Sequence, residues 1–273
     1  MSLLAIHPSA QPALVDRHVL GMAEMGYNGL SEQWLLRRAG DLHWRLIARA
    51  MGQKDAVFTC SAGQPLYAAF CATTLNFTRP EIPQLGGELT LAADLYRIGH
   101  GRLVSSHRIT VNNNEIGRVV LISTFVGRSE PASNHSIVRR TPKVIAMPPE
   151  APRAVQRIGR EAASVARFAV RGNHDLLTGE ETRKILPCPS VDFNAAGLLY
   201  FPSFSALADR AFFEMYGKVV PIIASRKVVY LGNVEPGEWV DICFHKSGAS
   251  YDAVLCGTDY RPLALMRIRL RAS

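Results

Sequence analysis

Apolar positions recur at helical spacing in one early stretch. Trp34, Leu35, Ala39, Leu42, Leu46, Ile47 and Ala50 predict a helix that follows Asn28-Gly29-Leu30-Ser31 and exits at Gly52. A second apolar helix is predicted after Asn194-Ala195-Ala196-Gly197-Leu198-Leu199-Tyr200-Phe201, running through Asp209 to Tyr216 and Gly217. Superposing Gly29 on Gly197 lays Leu30 on Leu198 and Asp41 on Asp209 without a gap. Behind each helix the period changes. β-Branched and aromatic runs separated by Gly or Asn turns predict strands near 56–60, 66–78, 88–98, 102–112 and 116–127. The second set is predicted at 219–232, 238–247, 251–259 and 262–271, with Gly237-Glu238 matching Gly87-Glu88 as a strand opening.

Loop, one long helix, then a run of antiparallel strands, done twice, predicts an α+β chain. The pattern is that of a tandem (double) hot-dog, each half a long helix wrapped by an antiparallel sheet. The halves are placed at 20–130 and 191–273 and are expected to pack as a pseudo-dimer. Apolar helices resemble one another by chance, but here the order of the elements matches as well as the residues. Residues 131–190 read as a basic, Pro-containing linker, with Pro142, Pro148, Pro149 and Pro152 breaking regularity and Asn173-His174-Asp175 reading as loop. Within it, Arg153 to Arg171 predicts a basic helix carrying Arg157, Arg160 and Arg167. Such a face is either simply solvated or a docking surface for phosphates or an acidic carrier.

Charge sharpens that choice without making it. The 273 residues hold 31 Lys and Arg against 23 Asp and Glu, a net charge of +8 that favours anionic partners. The five cysteines include no Cys-x-x-Cys pair, Met1 to Asp16 lacks the pattern of a signal peptide, and no apolar run is long enough to span a bilayer. A cytoplasmic protein with free thiols and no membrane partner is expected. Gly-x-Ser-x-Gly and Walker loops are absent, the eight histidines show no metal-ligand spacing, and no aromatic–basic string suggests nucleic acid. Neither a cofactor nor a metal is expected.

What remains is the device inherent in paired helix-and-sheet halves. A helix amino terminus facing the seam offers unpaired N–H groups and a positive dipole end to a thioester carbonyl becoming an oxyanion. Gly29-Leu30 and Gly197-Leu198 are therefore candidate oxyanion and thioester-binding positions, although turn glycines would look the same. Asn28 and Asn194 are candidate helix caps or supporting polar groups, and Ser106 and His107 lie mid-strand.

Gly21-Met22, the string Gly29-Leu30-Ser31-Glu32-Gln33-Trp34-Leu35-Leu36, and His43-Trp44-Arg45-Leu46-Ile47-Ala48-Arg49-Ala50 carry a likeness to a family. Leu66-Tyr67-Ala68-Ala69-Phe70 and Val191-Asp192-Phe193-Asn194 leading into Gly197-Leu198-Leu199-Tyr200-Phe201 extend it. The chain resembles the bifunctional acyltransferase/decarboxylases of leinamycin-type polyketide biosynthesis, a double hot-dog family. The resemblance implies methylmalonyl-CoA as substrate, loss of CO2, and delivery of a propionyl group to an acyl carrier protein. It places the active-site tyrosine at Tyr67. A phenol ionises near pH 10, so a nucleophilic Tyr67 would need positive charge or hydrogen bonds to help it; hydrogen-bond donation or a core role are the alternatives. Thr73, an even number of residues along the same strand, is expected on Tyr67's face.

Two rival functions stand beside this one. A thioesterase or dehydratase acting on carrier-bound acyl groups normally needs a carboxylate or a His–acid pair, for which Asp192 and His107 are the candidates. A non-catalytic carrier-binding scaffold would use the basic face of Arg153, Arg157, Arg160 and Arg167 alone. Whether copies of the chain pair as a homo-oligomer is open at this level.

Overall fold

The computed structural model describes residues 5–6, 13–170, 182–217 and 222–271. Ahead of the first long helix come β1 (Ala5–Ile6), β2 (Ala13–Val19) and a small hairpin, β3 (Met25–Gly26) with β4 (Gly29–Leu30). Helix α1 (Glu32–Ala50) leads into β5 (Phe58–Thr59), β6 (Pro65–Phe77), β7 (Glu88–Ile98), β8 (Arg102–Val111) and β9 (Asn114–Arg128). Next follow β10 (Ile137–Arg139), β11 (Ile145–Ala146), α2 (Arg153–Val170), β12 (Thr182–Ile185) and the short α3 (Pro189–Asp192). Helix α4 (Phe201–Tyr216) then precedes β13 (Ile223–Tyr230), β14 (Val240–Ser247), β15 (Ser250–Gly257) and β16 (Pro262–Leu270). The Asn173-His174-Asp175 stretch, Arg171 and the start of the strand expected at 219–232 lie outside the described residues.

The result is a mixed α/β fold with a large antiparallel sheet. Its main path runs β12-β14-β15-β16-β13-β6-β9-β8-β7-β2. The seam is the antiparallel pair β6–β13, where Ala72 to Asn76 face Val229 to Ser225. The sheet also takes in β2, ahead of residue 20, through β7, and β12, inside 131–190, through β14.

Helix α1 forms where its sequence says it should. The Ser31 side chain accepts from the Trp34 N–H at 3.3 Å, Glu32 lies in the first turn, and Gly52 turns out of the helix at φ 68°. Its stripe of Leu35, Leu36, Ala39, Leu42, Leu46 and Ile47 is buried in one core with Leu89, Leu91 and Leu121. Each of these leucines and the isoleucine contributes roughly 1.5–3 kcal/mol when taken out of water. Helix α4 buries Phe204, Leu207, Ala208 and Ala211 in a second core with Val228, Ile242, Leu255 and Met266. Helix α2 packs through Val155 on the opposite face of the sheet, over Ala72, Val104, Val120 and Ile122.

The two long helices meet at Gly40. A Cβ there would lie 2.9 Å from the Phe201 ring, so the missing side chain is what lets α4 begin against α1.

Candidate functional site

Strand β6 is paired to β13 only from Ala72 onward, and the segment before that lines an open space. The opening is a cleft of about 1020 Å³. Its walls come from β6 (Tyr67 to Cys71), α1 (Arg37, Trp44), the turn before α4 (Asn194, Leu198), and the start of α4 itself (Tyr200, Phe201, Phe204).

The cleft has an aromatic end. Phe70 and Phe201 have ring centroids 4.3 Å apart, Trp44 lies 5.5 Å from Phe70, and Tyr200 lies 5.1 Å from Phe201. Trp44 Nε1 donates to the Ala68 carbonyl at 2.9 Å, which fixes its ring against β6. Burial pushes the Tyr200 hydroxyl up to about 12, with the Arg37 guanidinium, 5.8 Å from its ring centroid, acting against that rise. Tyr200 is therefore a neutral donor at physiological pH. Arg37, Arg139, Arg261, His135 and Asn233 add polar and cationic groups to a lining that is otherwise largely apolar, with Phe58, Leu66, Val126 and Ile137 among it.

Tyr67 lines this cleft, with the Arg128 guanidinium 5.9 Å from its ring centroid. Arg128 Nη2 donates to Asn134 Oδ1 at 2.6 Å and to the Ala196 carbonyl at 2.7 Å. Asn134 in turn donates to the Gly197 carbonyl at 2.7 Å and the Val234 carbonyl at 2.8 Å. One Arg–Asn pair thus ties β9 to the turn before α4 and holds that turn beside Tyr67.

The turn is internally satisfied. Asn194 Oδ1 accepts from the Ala196 and Leu198 N–H groups at 3.0 and 3.2 Å, and the Gly197 N–H donates to the Asn194 carbonyl at 2.9 Å. The Leu199 N–H donates to Asn233 Oδ1 at 2.8 Å, and the Tyr200 N–H to the Asp192 carbonyl at 2.8 Å. Gly197 and Leu198 therefore shape the site with their N–H groups already engaged, rather than presenting them to a carbonyl. Asn194 is a turn former, not the cap of α4; the cap position is Tyr200, which makes no side-chain cap bond. Nor does Asn28 cap α1, because Ser31 does. Asn28, Gly29 and Leu30 line a different cavity, at the start of α1.

Thr73 does not share Tyr67's face. A β-bulge between Phe70 and Ala72 shifts the register, so the even count from Tyr67 no longer holds. Thr73 is buried and bonds the Tyr230 hydroxyl at 3.1 Å, which itself donates to the Phe201 carbonyl at 3.3 Å. Ser106 pairs with Asp94 and Val120 within the sheet, away from the cleft lining. His107 is fully buried behind α1, where Ser105 Oγ lies 2.7 Å from its Nε2 and 2.7 Å from His43 Nδ1, and Ser123 Oγ lies 2.7 Å from His43 Nε2. Burial lowers the pKa of both histidines, His107 to about 3, which makes them neutral core groups. Asp192 is buried too: its Oδ2 accepts from the Cys188 N–H at 2.8 Å and lies 3.6 Å from Arg210. It braces the turn before α4. Arg153, Arg157, Arg160 and Arg167 are exposed on α2, with Arg157 3.9 Å from Glu161.

The structure therefore brings Tyr67, Asn194 and Leu198 together in the cleft. Arg128, Asn134, Tyr200 and Asn233 complete that site without any local signal of their own; only Tyr200 falls inside a string noted in the sequence. No cluster of His, Cys, Asp and Glu suited to a metal occurs among the described residues, and no described helix is long and apolar enough to cross a membrane.

No family model matches the chain, and no curated protein does. Solved structures do. A 12:0-ACP thioesterase from Umbellularia californica aligns with a TM-score of 0.66 at 10% identity, covering 98% of this chain and 99% of that one. An acyl-ACP thioesterase from Bacteroides thetaiotaomicron aligns with a TM-score of 0.65 at 11% identity, covering 95% of this chain and 98% of that one. At such identities the likeness concerns the fold. The chain is thus similar in fold, over nearly its whole length, to these two thioesterases.

Proposed function

We propose that the chain is an enzyme acting on acyl thioesters, coenzyme- or carrier-linked, with the thioester held in the cleft at the start of α4. In this reading the two helix-and-sheet halves, 20–130 and 191–273, form a tandem hot-dog, and residues 131–190 join them. The observation that carries the proposal is the cleft: about 1020 Å³, walled by the aromatic cluster of Trp44, Phe70, Tyr200 and Phe201 and carrying Arg37, Arg139 and Arg261 in its lining. An acyl chain fits the aromatic end. The arginines suit the phosphates of coenzyme A or the acidic surface of a carrier protein. The names of the fold neighbours favour hydrolysis of a carrier-bound acyl thioester as the reaction.

A second reading, decarboxylating acyl transfer from methylmalonyl-CoA to an acyl carrier protein, is favoured by Tyr67 on the cleft wall beside Arg128. The Tyr67 oxygen would attack the thioester carbonyl, its proton passing to the departing coenzyme sulfur, which leaves as the thiol. The carboxylate leaves as CO2, the resulting enolate takes up a proton, and the carrier thiol then displaces the phenol. The cationic lining answers the negative charge of a carboxylated substrate.

Mass spectrometry separates the readings. The chain is incubated with dodecanoyl-carrier protein, and in parallel with methylmalonyl-CoA plus carrier protein. Free dodecanoic acid supports hydrolysis, and propionyl-carrier supports transfer with decarboxylation. Unchanged substrates in both arms overturn the enzyme reading and leave a carrier-binding scaffold.

A further inference from the structure

A second cavity, of about 470 Å³, lies at the other end of the α1–α4 pair. The cleft takes the start of α4 (Tyr200, Phe201) and, from α1, Trp44; this cavity takes the start of α1 (Glu32, Gln33) and, from α4, Phe212. The offset that lays Gly29 on Gly197 also lays Glu32 on Tyr200, Gln33 on Phe201 and Trp44 on Phe212. Duplicated positions thus line both spaces, each built from one half's helix start and the other half's helix and strands.

The second cavity is apolar along Phe77, Ile268 and Leu270 and polar where α1 begins. There Gln33 Nε2 is buried without a hydrogen-bond partner, while Glu32 Oε1 faces the buried Arg226. Leaving a buried polar atom unsatisfied costs about 1–3 kcal/mol. Packing alone gives no reason to leave the Gln33 amide nitrogen so. The leading N–H groups of a helix also lack partners within it. Around Glu32, the buried Arg226 places Nε 3.4 Å from its Oε1 and Nη2 2.6 Å from Asp209 Oδ1. Burial outweighs that cation and, together with Asp209, pushes the Glu32 carboxyl up to about 7. Near neutrality such a carboxyl both donates and accepts.

We propose that this cavity is a second acyl-binding site, taking the chain of a fatty acyl thioester along Phe77, Ile268 and Leu270. Its thioester carbonyl or adjoining amide sits at Glu32, Gln33 and the first turn of α1. The ligand class rests on the reading of the cleft; the location of the site does not.

The test is calorimetric titration with a ketone analogue of dodecanoyl-pantetheine, in which a methylene replaces the sulfur. Wild-type protein is expected to bind two equivalents. Leu270→Trp, which fills the second cavity, removes one of them, and Gln33→Ala weakens that same one about tenfold. Ala69→Trp, on the cleft wall, removes the other. One equivalent lost in Leu270→Trp but not in Ala69→Trp overturns the cleft reading and sustains this one. One equivalent lost only in Ala69→Trp overturns the second site, as does loss of both equivalents in Leu270→Trp or no binding by wild type. In that last case the product analysis above still decides the cleft.

Discussion

Arg128 Nη2 donates to the carbonyl of Ala196 at 2.7 Å, joining the end of β9 to the turn that launches α4. The same guanidinium meets Asn134 and lies beside Tyr67, so one side chain positions both sides of the cleft.

Arg128→Met removes those donors while keeping much of the side-chain length. The Ala196 carbonyl and Asn134 Oδ1 each lose a partner, at about 1.5–3 kcal/mol for hydrogen bonds to a charged group. The expected result is a lower midpoint in urea unfolding together with a loss of turnover of at least tenfold. Arg128→Lys recovers part of the stability, because one ammonium cannot reproduce the planar fork. A turnover unchanged in Arg128→Met would separate this residue from the site.

Gly40→Ala tests the helix contact. The added methyl would sit 2.9 Å from a Phe201 ring already packed 4.3 Å from Phe70. Alanine is favoured in a helix by about 1 kcal/mol over glycine, whereas overpacking costs typically 1–3 kcal/mol. The ring has little room to yield, so the clash wins. A lower melting temperature and a displaced Phe201 are expected by thermal unfolding and crystallography. A stabilised variant would show that α4 can retreat.

The parts of this fold that read directly from the sequence are those whose partners are close in the chain or whose periodicity is long. Helix α1 and strands β6 to β9 lie within two or three residues of the expected ends, because a long apolar stripe and turn residues such as Asn112 and Asn113 mark them. The bulge near Cys71 has no such marker, and it moved Thr73 to the other face. The tie from Arg128 to Ala196 joins residues 68 apart, and no local pattern announces it. Glu32 looks like an ordinary acidic residue in a first turn. Only the packing of Arg226 and Asp209 around it makes it a buried carboxyl. Asp192 and His107 look like candidate chemistry in the sequence, yet both are buried, Asp192 bracing the turn before α4 and His107 lying neutral in the core.

The buried histidines give an acid-side prediction. His43 and His107 have depressed pKa values in the folded chain because burial disfavours the imidazolium, and His43 also feels His107. Unfolding releases both to near pH 6.5. The unfolded state therefore binds more protons below that pH, and the stability present above pH 6.5 is lost as pH falls. With two such groups the slope approaches about 2.7 kcal/mol per pH unit. Urea unfolding at pH 7.5, 6.0 and 5.0 measures it. His107→Gln should lower stability at pH 7.5 but flatten the decline; an equally steep decline would mean that His107 already carries its proton in the fold.

The exposed arginines of α2 give a prediction about partners. Arg153, Arg160 and Arg167 face solvent, while Arg157 is near Glu161, which also meets Lys227 at 3.0 Å. If the helix docks an acidic carrier, affinity falls as salt rises, since exposed charges are screened over about 8–10 Å near physiological ionic strength. Replacing Arg153, Arg160 and Arg167 by Gln should weaken binding a few-fold each and reduce the salt slope. Each exposed pair contributes at most about 1 kcal/mol. Equal affinity at 50 and 300 mM salt would mark this face as solvated only.

Tyr67→Phe separates the chemical roles open to the cleft tyrosine. The ring and its contact with Arg128 remain, and only the hydroxyl is removed, so folding should survive. A nucleophilic Tyr67 predicts that no acyl-enzyme forms and that transfer to the carrier stops. A Tyr67 that only donates a hydrogen bond to the developing oxyanion predicts a residual reaction, slower by roughly 10²–10³. Intact-mass spectrometry with methylmalonyl-CoA and with dodecanoyl-carrier distinguishes the two, because the covalent route leaves an acyl adduct on wild-type protein that Tyr67→Phe lacks. The hydroxyl also bears on hydrolysis: if the thioester is cleaved by water held in the cleft, the variant loses rate without any change in product. Wild-type turnover by a folded Tyr67→Phe protein would reduce Tyr67 to a wall of the cleft. The chemistry would then pass to Tyr200, whose half-buried neutral hydroxyl lies at the start of α4.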